Sequence, residues 1–497
     1  MLFATWLGHR MSGKQSSIHD FFLGGRRLPW QAVCGSILAT EISALTFIGV
    51  PGMVFAAEGN MTYLQWGIGS IIARVIVGTW FVKAYYEKEI YSPYDFVGNK
   101  LGVGAKRLTT GLFFLSSILG QSVRLLVTAT ILQVVTDLTM GQCILAITVV
   151  AILWTLMGGM TTVIWTDVIQ FCVFIFGGLL AFVVLIGQIN GGWGSFVEIG
   201  ASANKFKLID LTTDPAVQFT LWVAIFAMPF QNLAAFGTDQ LNTQRMFCCR
   251  NAHEAGKAII WSSVSLLITL LMLLVGIGLF VFYQQHPPNE VIAGMFADKS
   301  DYVFPTWITT ELPPGVSGLI LAGAFAAAVS SLDSILAALS QTSLALFQKE
   351  HPRFDDPTAQ AASDRRQVFI SRLLVLGWGI VMGVFAIFLE QTREDINLIG
   401  LAFGMVAYTY GPLLAILLFA LTQRSRVTTG LWIGTIISIL LVTYIRPDFY
   451  NILAMTGAVT KEEADAMVPP ITFAWMYPVT TAITYFSGWL WAKLSER

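Results

Sequence analysis

Three serines and an aspartate interrupt an apolar segment near the middle of the chain. The stretch reads AAAVSSLDS at residues 326–334. At about 100° per residue, its polar side chains fall within roughly 160° of one helix face. A small, oxygen-rich face suits a hard cation, which prefers oxygen ligands. The alternative is close helix packing, with each serine bonded back to its own helix. The residues on this face are Ala327, Ser330, Ser331, Asp333 and Ser334.

A second apolar segment, ILATEISALTFIGVPG at residues 37–52, is also interrupted by polar side chains. Pro51 cannot donate to a helix ladder and disfavours helical backbone at Val50, so the pattern predicts a broken helix there. Non-helical backbone at membrane depth is tolerated where it lines a site. A packed kink is the alternative. The polar residues are Thr40, Glu41, Ser43 and Thr46.

Two more charged residues lie inside apolar segments. Asp167, in GGMTTVIWTDVIQ, lies about two turns into its segment, and Arg124, in ILGQSVRLLVTA, lies deep in another. At that depth Arg124 should face a cavity or a partner. Its forked guanidinium suits a bidentate grip on a carboxylate. That carboxylate could be Glu41, which would make the pair structural, or it could belong to a substrate.

The elements that must position these residues are membrane-spanning helices. The chain has 497 residues, of which 55% are hydrophobic and only 12% charged, with a mean hydropathy of +0.68. Apolar runs near the ~20 residues needed to cross a bilayer recur along the whole length. Before them, MLFATWLG indicates the tail of a truncated helix, and no cleaved signal peptide is indicated. The sequence predicts twelve full spans, near residues 30–58, 61–83, 108–136, 141–158, 160–189, 216–240, 256–284, 315–347, 368–390, 397–422, 427–445 and 470–492.

Lysine and arginine positions predict the orientation of these spans. If residues 9–29 are cytoplasmic and the loops alternate from there, twenty Lys and Arg residues, among them Arg245, lie in inside loops and six in outside loops. This bias follows the positive-inside rule and places the C-terminus in the cytoplasm. The expected location is the cell membrane, inner or plasma.

Several function classes lack support in the sequence. No loop is large enough for a nucleotide-binding or signalling domain, so transport driven by such a domain is not expected, and any energy must come from an ion gradient. The five cysteines have no metal-binding spacing and all five histidines lie in predicted loops. We therefore expect no enzyme, no organic cofactor, no nucleic-acid partner and no obligatory protein partner. A channel would need a continuous polar pore, whereas these polar residues cluster on a few helices.

The blocks FFLGGRRLPW, SALTFIGVPG, GGMTTVIWTDVIQ, DQLNTQR and AAAVSSLDS resemble those of the sodium/solute symporter family, from about Phe21 to Arg426. The resemblance implies an all-α, LeuT-type membrane fold with two inverted five-helix repeats. The implied divisions are a truncated helix tail and cytoplasmic loop at 1–29, a first repeat at 30–190, an outside loop at 191–215, a second repeat at 216–422 and two further helices at 423–497.

The resemblance also implies cation sites. A sodium ion should bind the carbonyls of Ala39, Ile42 and Ala327 and the hydroxyls of Ser330 and Ser331. A second cation or proton site should combine family positions that correspond to four residues here. Because the family serine at one of these positions is Asp333 here, this second site carries more charge, and either sodium or a proton could occupy it. The second-site residues are Asp167, Ser330, Asp333 and Ser334.

The substrate class is where family members differ. Sugar carriers have a lysine in the seventh core helix, a tyrosine shortly after the position of Asn232 and a glutamine in the tenth helix. This chain has no such lysine, and it has Ala235 and, approximately, Gly404 at the other two positions. Sialic acid carriers are more similar. The expected substrate-binding residues are Glu41, Ser43, Thr46, Gln65, Arg124 and Asn232.

These features predict a sodium-coupled symporter that imports a small organic carboxylate, such as sialic acid, by alternating access. Glu41 departs from the sialic acid pattern and would repel an anion unless paired or protonated. A neutral or cationic solute, such as a sugar, an amino acid or a vitamin, therefore stays open as an alternative. A channel is a further alternative. The expected partners are the substrate and the lipid bilayer.

Overall fold

The computed structural model describes residues 24–87, 90, 92–136, 138–156, 160–347, 357–392, 398–422 and 428–495. Within these ranges the secondary structure is helical, apart from one isolated bridge between Leu28 and Cys249. The all-α prediction is therefore confirmed. Residues 1–23, which include the expected helix tail, lie outside the described residues.

We number the α-helices in chain order. Shorter 3-10 or π-helical turns occur at Gly24–Arg26, Leu45–Gly49, Met61–Gln65 and Val77–Phe81. The α-helices up to residue 202 are α1 (Trp30–Glu41), α2 (Val50–Phe55), α3 (Trp66–Ile76), α4 (Val82–Tyr86), α5 (Pro93–Leu101), α6 (Val103–Val135), α7 (Met140–Thr155), α8 (Met160–Gln188) and α9 (Gly192–Ser202).

The rest of the described chain is built in the same way. Its 3-10 turns are Ser262–Val264, Ser300–Tyr302 and Phe473–Trp475. Its α-helices are α10 (Leu221–Phe226), α11 (Met228–Gly237), α12 (Gln240–Met246), α13 (Ala252–Trp261), α14 (Ser265–Gln285), α15 (Glu290–Asp298), α16 (Val303–Thr310), α17 (Pro314–Phe347), α18 (Pro357–Thr392), α19 (Leu398–Thr422), α20 (Thr428–Ile445), α21 (Pro447–Met455), α22 (Lys461–Met467) and α23 (Met476–Ser495).

Eight helical segments of the described chain are long and apolar enough to cross a membrane, and two bent helix pairs raise the number to ten. The remaining two predicted spans fall on α7, which is shorter, and on α23. The total of twelve stays a prediction. The eight segments are Met61–Tyr86, Val103–Val135, Thr161–Gln188, Ala252–Gln285, Pro314–Leu346, Arg365–Gln391, Leu398–Thr422 and Thr428–Ile445.

The first predicted span is broken, but not where Pro51 predicts. Helix α1 ends at Glu41, and Ile42 has extended backbone with φ −80° and ψ 111°. The helix axis changes direction by 58° before the chain continues through Leu45–Phe55. Pro51 lies in the first turn of α2, directly after a π-helical turn, and the helix runs through it. A proline is tolerated there because π-helical spacing shifts the carbonyl with which its ring would collide.

A second break, which the sequence did not predict, divides the span that contains α11 and α12. Helix α11 ends at Gly237, and the two parts of the span differ in direction by 59°. Asp239 begins the second part, since its Oδ1 accepts a hydrogen bond of 2.9 Å from the Leu241 N–H. The signal was present in the sequence, because Gly237-Thr238-Asp239 combines a helix-ending glycine with an N-cap residue.

The most enclosed spans are those around the two breaks. The apolar windows of Pro314–Leu346 and Leu398–Thr422 are 78% buried, whereas that of Thr161–Gln188 is 33% buried. Helix α17 packs against α8, α1 and α12, and α19 packs against α6 and α11. The polar face of α17 therefore points into protein, where its oxygen atoms can find partners.

The end of the first span is held by a lysine from the connection after α9. Lys205 is fully buried, and its Nζ donates to the carbonyls of Val54, Ala56 and Ala57 at 3.0, 2.6 and 3.2 Å. The same Nζ lies 4.3 Å from the centre of the Phe280 ring. Burial lowers the pKa of Lys205 to about 8, although nearby Glu58 opposes the shift. Neutral oxygens and an aromatic face thus satisfy this cation.

Candidate functional site

The break in the first span exposes carbonyl oxygens at a junction of three helices. The Thr40 carbonyl accepts a hydrogen bond of 3.1 Å from Arg124 Nη1 on α6 and one of 3.3 Å from Ser331 Oγ on α17. Ser331 Oγ also lies 3.2 Å from the carbonyl of Ala327. The last carbonyls of a helix have no following amide to accept from, so they are free for such contacts.

The residues expected to bind sodium lie at this junction. Ser331 joins the polar face of α17 to the last turn of α1, next to Ala39 and Ile42 along the chain. Ser330 is turned to Asp167, and its Oγ donates to Oδ1 at 2.5 Å. All five expected ligand residues are at most 3% exposed. Carbonyl and hydroxyl oxygens in a buried position are what a hard cation requires.

Asp167 is at the centre of a buried polar cluster. Its Oδ2 accepts hydrogen bonds from Ser36 Oγ at 2.5 Å and from Arg245 Nη2 at 3.1 Å. Together with the bond from Ser330, this makes three donors to one carboxylate. A buried carboxylate is stable only when it is paired and hydrogen-bonded in this way. We call Ser36, Asp167, Arg245, Ser330, Asp333 and Ser334 the Asp167 cluster.

Arg245 is the cation of this cluster, although the lysine and arginine pattern of the sequence predicts that it lies in a loop. The structure places it in α12, 1% exposed. Its Nε donates to Ser36 Oγ at 2.8 Å, its Nη1 to the Leu241 carbonyl at 2.5 Å, and its Nη2 to Ser334 Oγ. Ser334 Oγ donates in turn to Asp333 at 3.2 Å. The four residues of the expected second site are thus together, with a guanidinium among them.

A cavity of about 150 Å³ lies on the other side of the junction. Its walls come from α1, the segment after the break, α6, α11, α12, α14 and α19. Asp239 and Tyr410, which the sequence did not single out, also line it, and Tyr410 Oη donates to Asp239 Oδ2 at 2.9 Å. We call it the central cavity. Five of the expected substrate-binding residues line it: Glu41, Ser43, Thr46, Arg124 and Asn232.

Glu41 is paired with an arginine, but not with Arg124. Its Oε1 accepts a hydrogen bond of 2.5 Å from Nη2 of Arg74 in α3. Arg74 is fully buried, donates to Ser262 Oγ at 3.1 Å, and lies 4.3 Å from the centre of the Phe236 ring. Of the two partners considered for Arg124, Glu41 is therefore already held elsewhere.

Arg124 faces the central cavity and forms no salt bridge with any described residue. Among the described residues no carboxylate oxygen lies within 4.0 Å of its guanidinium, and the bond to the Thr40 carbonyl uses only one of its nitrogens. A guanidinium has five N–H donors in a fixed fork. The remaining donors are available for an oxyanion that enters the cavity.

Gln65 does not line the central cavity in this structure. Its Nε2 donates to the carbonyls of Thr62 and Phe219, each at 3.2 Å, and its Oε1 accepts from the Asp210 N–H at 3.2 Å. The side chain lies in the 3-10 turn before α3, where a buried amide satisfies the backbone of the neighbouring connection. Its role in substrate binding stays a prediction.

Two of the three neutral residues that line the cavity and are expected to bind substrate, Asn232 and Ser43, already use part of their hydrogen-bonding capacity. Asn232 Nδ2 donates to the Met228 carbonyl at 2.9 Å, and Ser43 Oγ accepts from the Leu45 N–H at 3.3 Å. Gly404 lies near the position of the sugar carriers' glutamine. The guanidinium of Arg446 occupies the space that a side chain at Gly404 would need. A Cβ at Gly404 would lie 1.3 Å from Arg446 Nη1. A larger side chain at Gly404 would thus displace a buried guanidinium.

Comparison with known proteins finds sodium-coupled transporters as relatives. The model of the sodium:solute symporter family matches residues 21–438. The chain is similar to a sodium/glucose cotransporter of Vibrio parahaemolyticus, with 27% identity over 87% of this chain and 80% of the relative. It is also similar to the sodium/sialic acid symporter SiaT of Proteus mirabilis, with 25% identity over 88% and 86%.

A solved structure shares the fold. It is the substrate-bound outward-open state of a Na+-coupled sialic acid symporter, with a TM-score of 0.79 and 22% identity over 99% of this chain and 95% of that one. At this identity the likeness establishes the architecture alone. The predicted LeuT-type, all-α membrane fold is confirmed.

Proposed function

Because the chain belongs to the sodium:solute symporter family, we propose that it imports a small organic carboxylate together with sodium by alternating access. The observation that carries the proposal is Arg124, which faces the central cavity without a carboxylate partner within 4.0 Å among the described residues. A permanently charged group in a buried cavity needs a negative partner. A substrate carboxylate supplies it, and two of the relatives are sodium/sialic acid symporters.

Sodium binds next to the substrate. In this proposal the ion takes the carbonyls of Ala39, Ile42 and Ala327 and the hydroxyls of Ser330 and Ser331. The support is that Ser331 already bridges α17 and the broken end of α1. Sodium that binds at this junction draws the two helices together and fixes the Thr40 carbonyl, to which Arg124 donates. Each ligand thereby favours the arrangement that the other binds.

Asp167, Ser330, Asp333 and Ser334 form a second site in this proposal, for a cation or a proton. Asp167 and Asp333 are both buried, whereas Arg245 is the only described cation within hydrogen-bond distance of the Asp167 cluster. Two carboxylates and one guanidinium leave one negative charge in a buried place. A proton or a second cation removes that charge.

Two helix breaks supply the moving parts. The bends of 58° and 59° fall in the first span of the proposed repeat at 30–190 and in the first span of the proposed repeat at 216–422. Broken helices at corresponding positions of two inverted repeats are typical of carriers that rock around a central site. Residues 423–497 then form additional helices, and the C-terminus lies in the cytoplasm. The protein is an integral membrane transporter, and we propose that it has no enzymatic activity.

Uptake into proteoliposomes tests the proposal. Carboxylates, sugars and amino acids are offered as labelled substrates, with an inward sodium gradient and with equal sodium on both sides. We expect uptake of at least one carboxylate above equilibrium with the gradient only, and tracer counterflow without it. Uptake that is the same with and without the sodium gradient contradicts sodium coupling. Conduction without counterflow indicates a channel, because a channel has no carrier state that exchanges bound substrate.

A further inference from the structure

The walls of the central cavity carry three acceptor oxygens without a hydrogen-bond partner among the described residues. They are Glu41 Oε2, Gln121 Oε1 and Asn242 Oδ1. The Gln121 and Asn242 side chains are 5% and 8% exposed, so bulk water does not satisfy them. Buried acceptors without donors are rare in proteins, and a set of three around one cavity indicates a ligand rich in donors.

The three oxygens come from three different helices. Glu41 ends α1, Gln121 lies on α6 one turn before Arg124, and Asn242 lies on α12. The orientation of the Asn242 amide is set by its Nδ2, which donates to the Ala235 carbonyl at 2.9 Å, so its oxygen is the free atom. Glu41 is likewise fixed by Arg74, which binds Oε1 and leaves Oε2 free.

The same cavity contains the guanidinium of Arg124, which has no carboxylate oxygen within 4.0 Å among the described residues. From these two observations we propose that the substrate is a small amino acid, whose carboxylate binds Arg124 and whose ammonium group donates to Glu41 Oε2, Asn242 Oδ1 and Gln121 Oε1. The inference rests on the proposed function and narrows its substrate class. An ammonium group has three N–H donors and a positive charge, so it matches both the number and the charge of these acceptors.

Other solutes match only one half of the cavity. A simple monocarboxylate would satisfy Arg124 but would place its apolar tail against a charged carboxylate oxygen. A sugar would bring no carboxylate to the free donors of Arg124. A quaternary ammonium compound has no N–H to donate. The volume of about 150 Å³ also suits a short side chain, since a cavity of that size holds a molecule comparable to benzene.

Binding to the purified full-length protein tests the inference. Sodium-dependent binding is measured for the twenty common amino acids and, for those that bind, for the deaminated, decarboxylated and N-trimethylated analogue of the same carbon skeleton. Sialic acid and glucose are included. We expect at least one amino acid of short side chain to bind, and each of its three analogues to bind at least ten-fold more weakly, since about 1.4 kcal/mol per lost charged contact corresponds to ten-fold.

Variants assign the ammonium half of the site. Glu41→Gln should reduce the preference for the amino acid over its deaminated analogue by roughly ten-fold or more. Glu58→Gln is the matched control, because Glu58 is exposed beyond the outer end of the same broken span. If Glu41→Gln fails to fold because Arg74 loses its partner, Asn242→Leu gives the same readout without touching an ion pair, and the preference should again fall.

The outcomes separate this inference from the proposed function. If sialic acid or a deaminated analogue binds as tightly as any amino acid, the amino acid inference is wrong and carboxylate transport stands. If glucose binds and no carboxylate does, both are wrong. If no amino acid binds, the inference is wrong. An unchanged preference in both Glu41→Gln and Asn242→Leu would remove these residues from the site.

Discussion

The Asp167 cluster and the central cavity each hold buried charges beside the broken end of α1, but they use them differently. In the cluster, Arg245 donates from all three of its nitrogens to protein oxygens, and Asp167 accepts from three donors. In the cavity, Arg124 makes one described hydrogen bond and Glu41 leaves an oxygen without a partner. Both regions use an arginine and acidic side chains. They differ in how many of the donor and acceptor atoms have a hydrogen-bond partner among the described residues.

This difference separates structure from recognition. A buried ion pair with all its bonds made inside the protein holds helices together, and removing one member leaves a lone buried charge. A buried charge with free donors or acceptors keeps part of its bonding capacity for a partner that arrives from solution, even where, as in Glu41, another atom of the group is already paired. The cluster should therefore respond to substitution through stability, and the cavity through ligand affinity.

The largest effect is expected for Asp167→Ala. The change breaks the direct ion pair between Arg245 and Asp167, leaves Arg245 linked to Asp333 through the Ser334 hydroxyl, and removes an acceptor from Ser36 and Ser330. Loss of about 3–5 kcal/mol of stability is typical of a broken buried pair. Thermal unfolding in detergent without substrate measures it. The double variant Asp167→Asn with Arg245→Gln should recover part of the loss, and a single variant as stable as wild type would contradict a structural pair.

Arg124→Lys should act on substrate affinity. Lysine keeps the charge and loses the planar fork, so the substrate dissociation constant should rise roughly ten-fold or more, with sodium affinity and thermal stability close to wild type. Equilibrium binding in saturating sodium measures the first quantity. A loss of stability comparable to that of Asp167→Ala would mean that Arg124 belongs with the structural pairs.

A double-mutant cycle of Arg124→Gln and Glu41→Gln sharpens this point. Since Glu41 is bound by Arg74, stability without substrate should be additive to within about 0.5 kcal/mol. Substrate affinity should show coupling, because one molecule contacts both residues. Strong coupling in stability would instead indicate that Arg124 and Glu41 pair in the empty protein. The proposal that Arg124 binds a substrate carboxylate would then be contradicted.

Ser331→Ala tests the junction between the two regions. It removes one hydroxyl oxygen from the proposed sodium ligands, which should raise the half-saturating sodium concentration of uptake by roughly ten-fold, on the ~1–3 kcal/mol scale of a buried group that loses its partner. Ser317→Ala is the control on the same helix, because the hydrogen bond that Ser317 Oγ makes among the described residues goes to Pro314 in the first turn of that helix. An unchanged sodium dependence would defeat the sodium assignment.

The smallest effect concerns Lys205, a buried cation satisfied by neutral oxygens. Its pKa in the folded protein is about 8, below the ordinary value of 10.5. Between these values the unfolded chain binds a proton that the folded chain has lost, so stability should rise with pH, by about 1 kcal/mol from pH 7 to pH 9. Lys205→Met should lose this rise while wild type keeps it. If thermal unfolding of wild type and of Lys205→Met had the same pH dependence, the lowered pKa of Lys205 would be contradicted.

The sequence predicted features that depend on a single segment. Eight to ten apolar spans, the polar face of α17 and the existence of a break in the first span follow from local pattern, and the described part of the chain contains them. The total of twelve spans and the depth of Arg124 in the membrane stay predictions. The position of the break was wrong because proline was taken as its cause. The break follows α1 at Ile42, and a π-helical turn accommodates Pro51.

Partners across the bundle could not be predicted. Whether Glu41 meets Arg74 or Arg124 depends on the rotation of α1, α3 and α6 about their axes, which a one-residue change in span boundary alters by about 100°. Arg245 was missed for a related reason, because the kink at Thr238–Asp239 turns α12 inward and carries a residue assigned to a loop into the core. The DQLNTQR block includes Arg245, but the sequence alone does not show that its side chain turns into the core.

The Thr40 carbonyl has a consequence for how such a carrier can evolve. One main-chain oxygen meets both Arg124 and Ser331, and no substitution of a side chain can delete it. In the proposed mechanism, descendants of this protein can therefore exchange the arginine, and with it the substrate, while the carbonyl oxygen between the proposed substrate and sodium sites persists. Substrate specificity can then change without separate selection to keep sodium coupling, because the group that the two proposed sites share is a main-chain carbonyl.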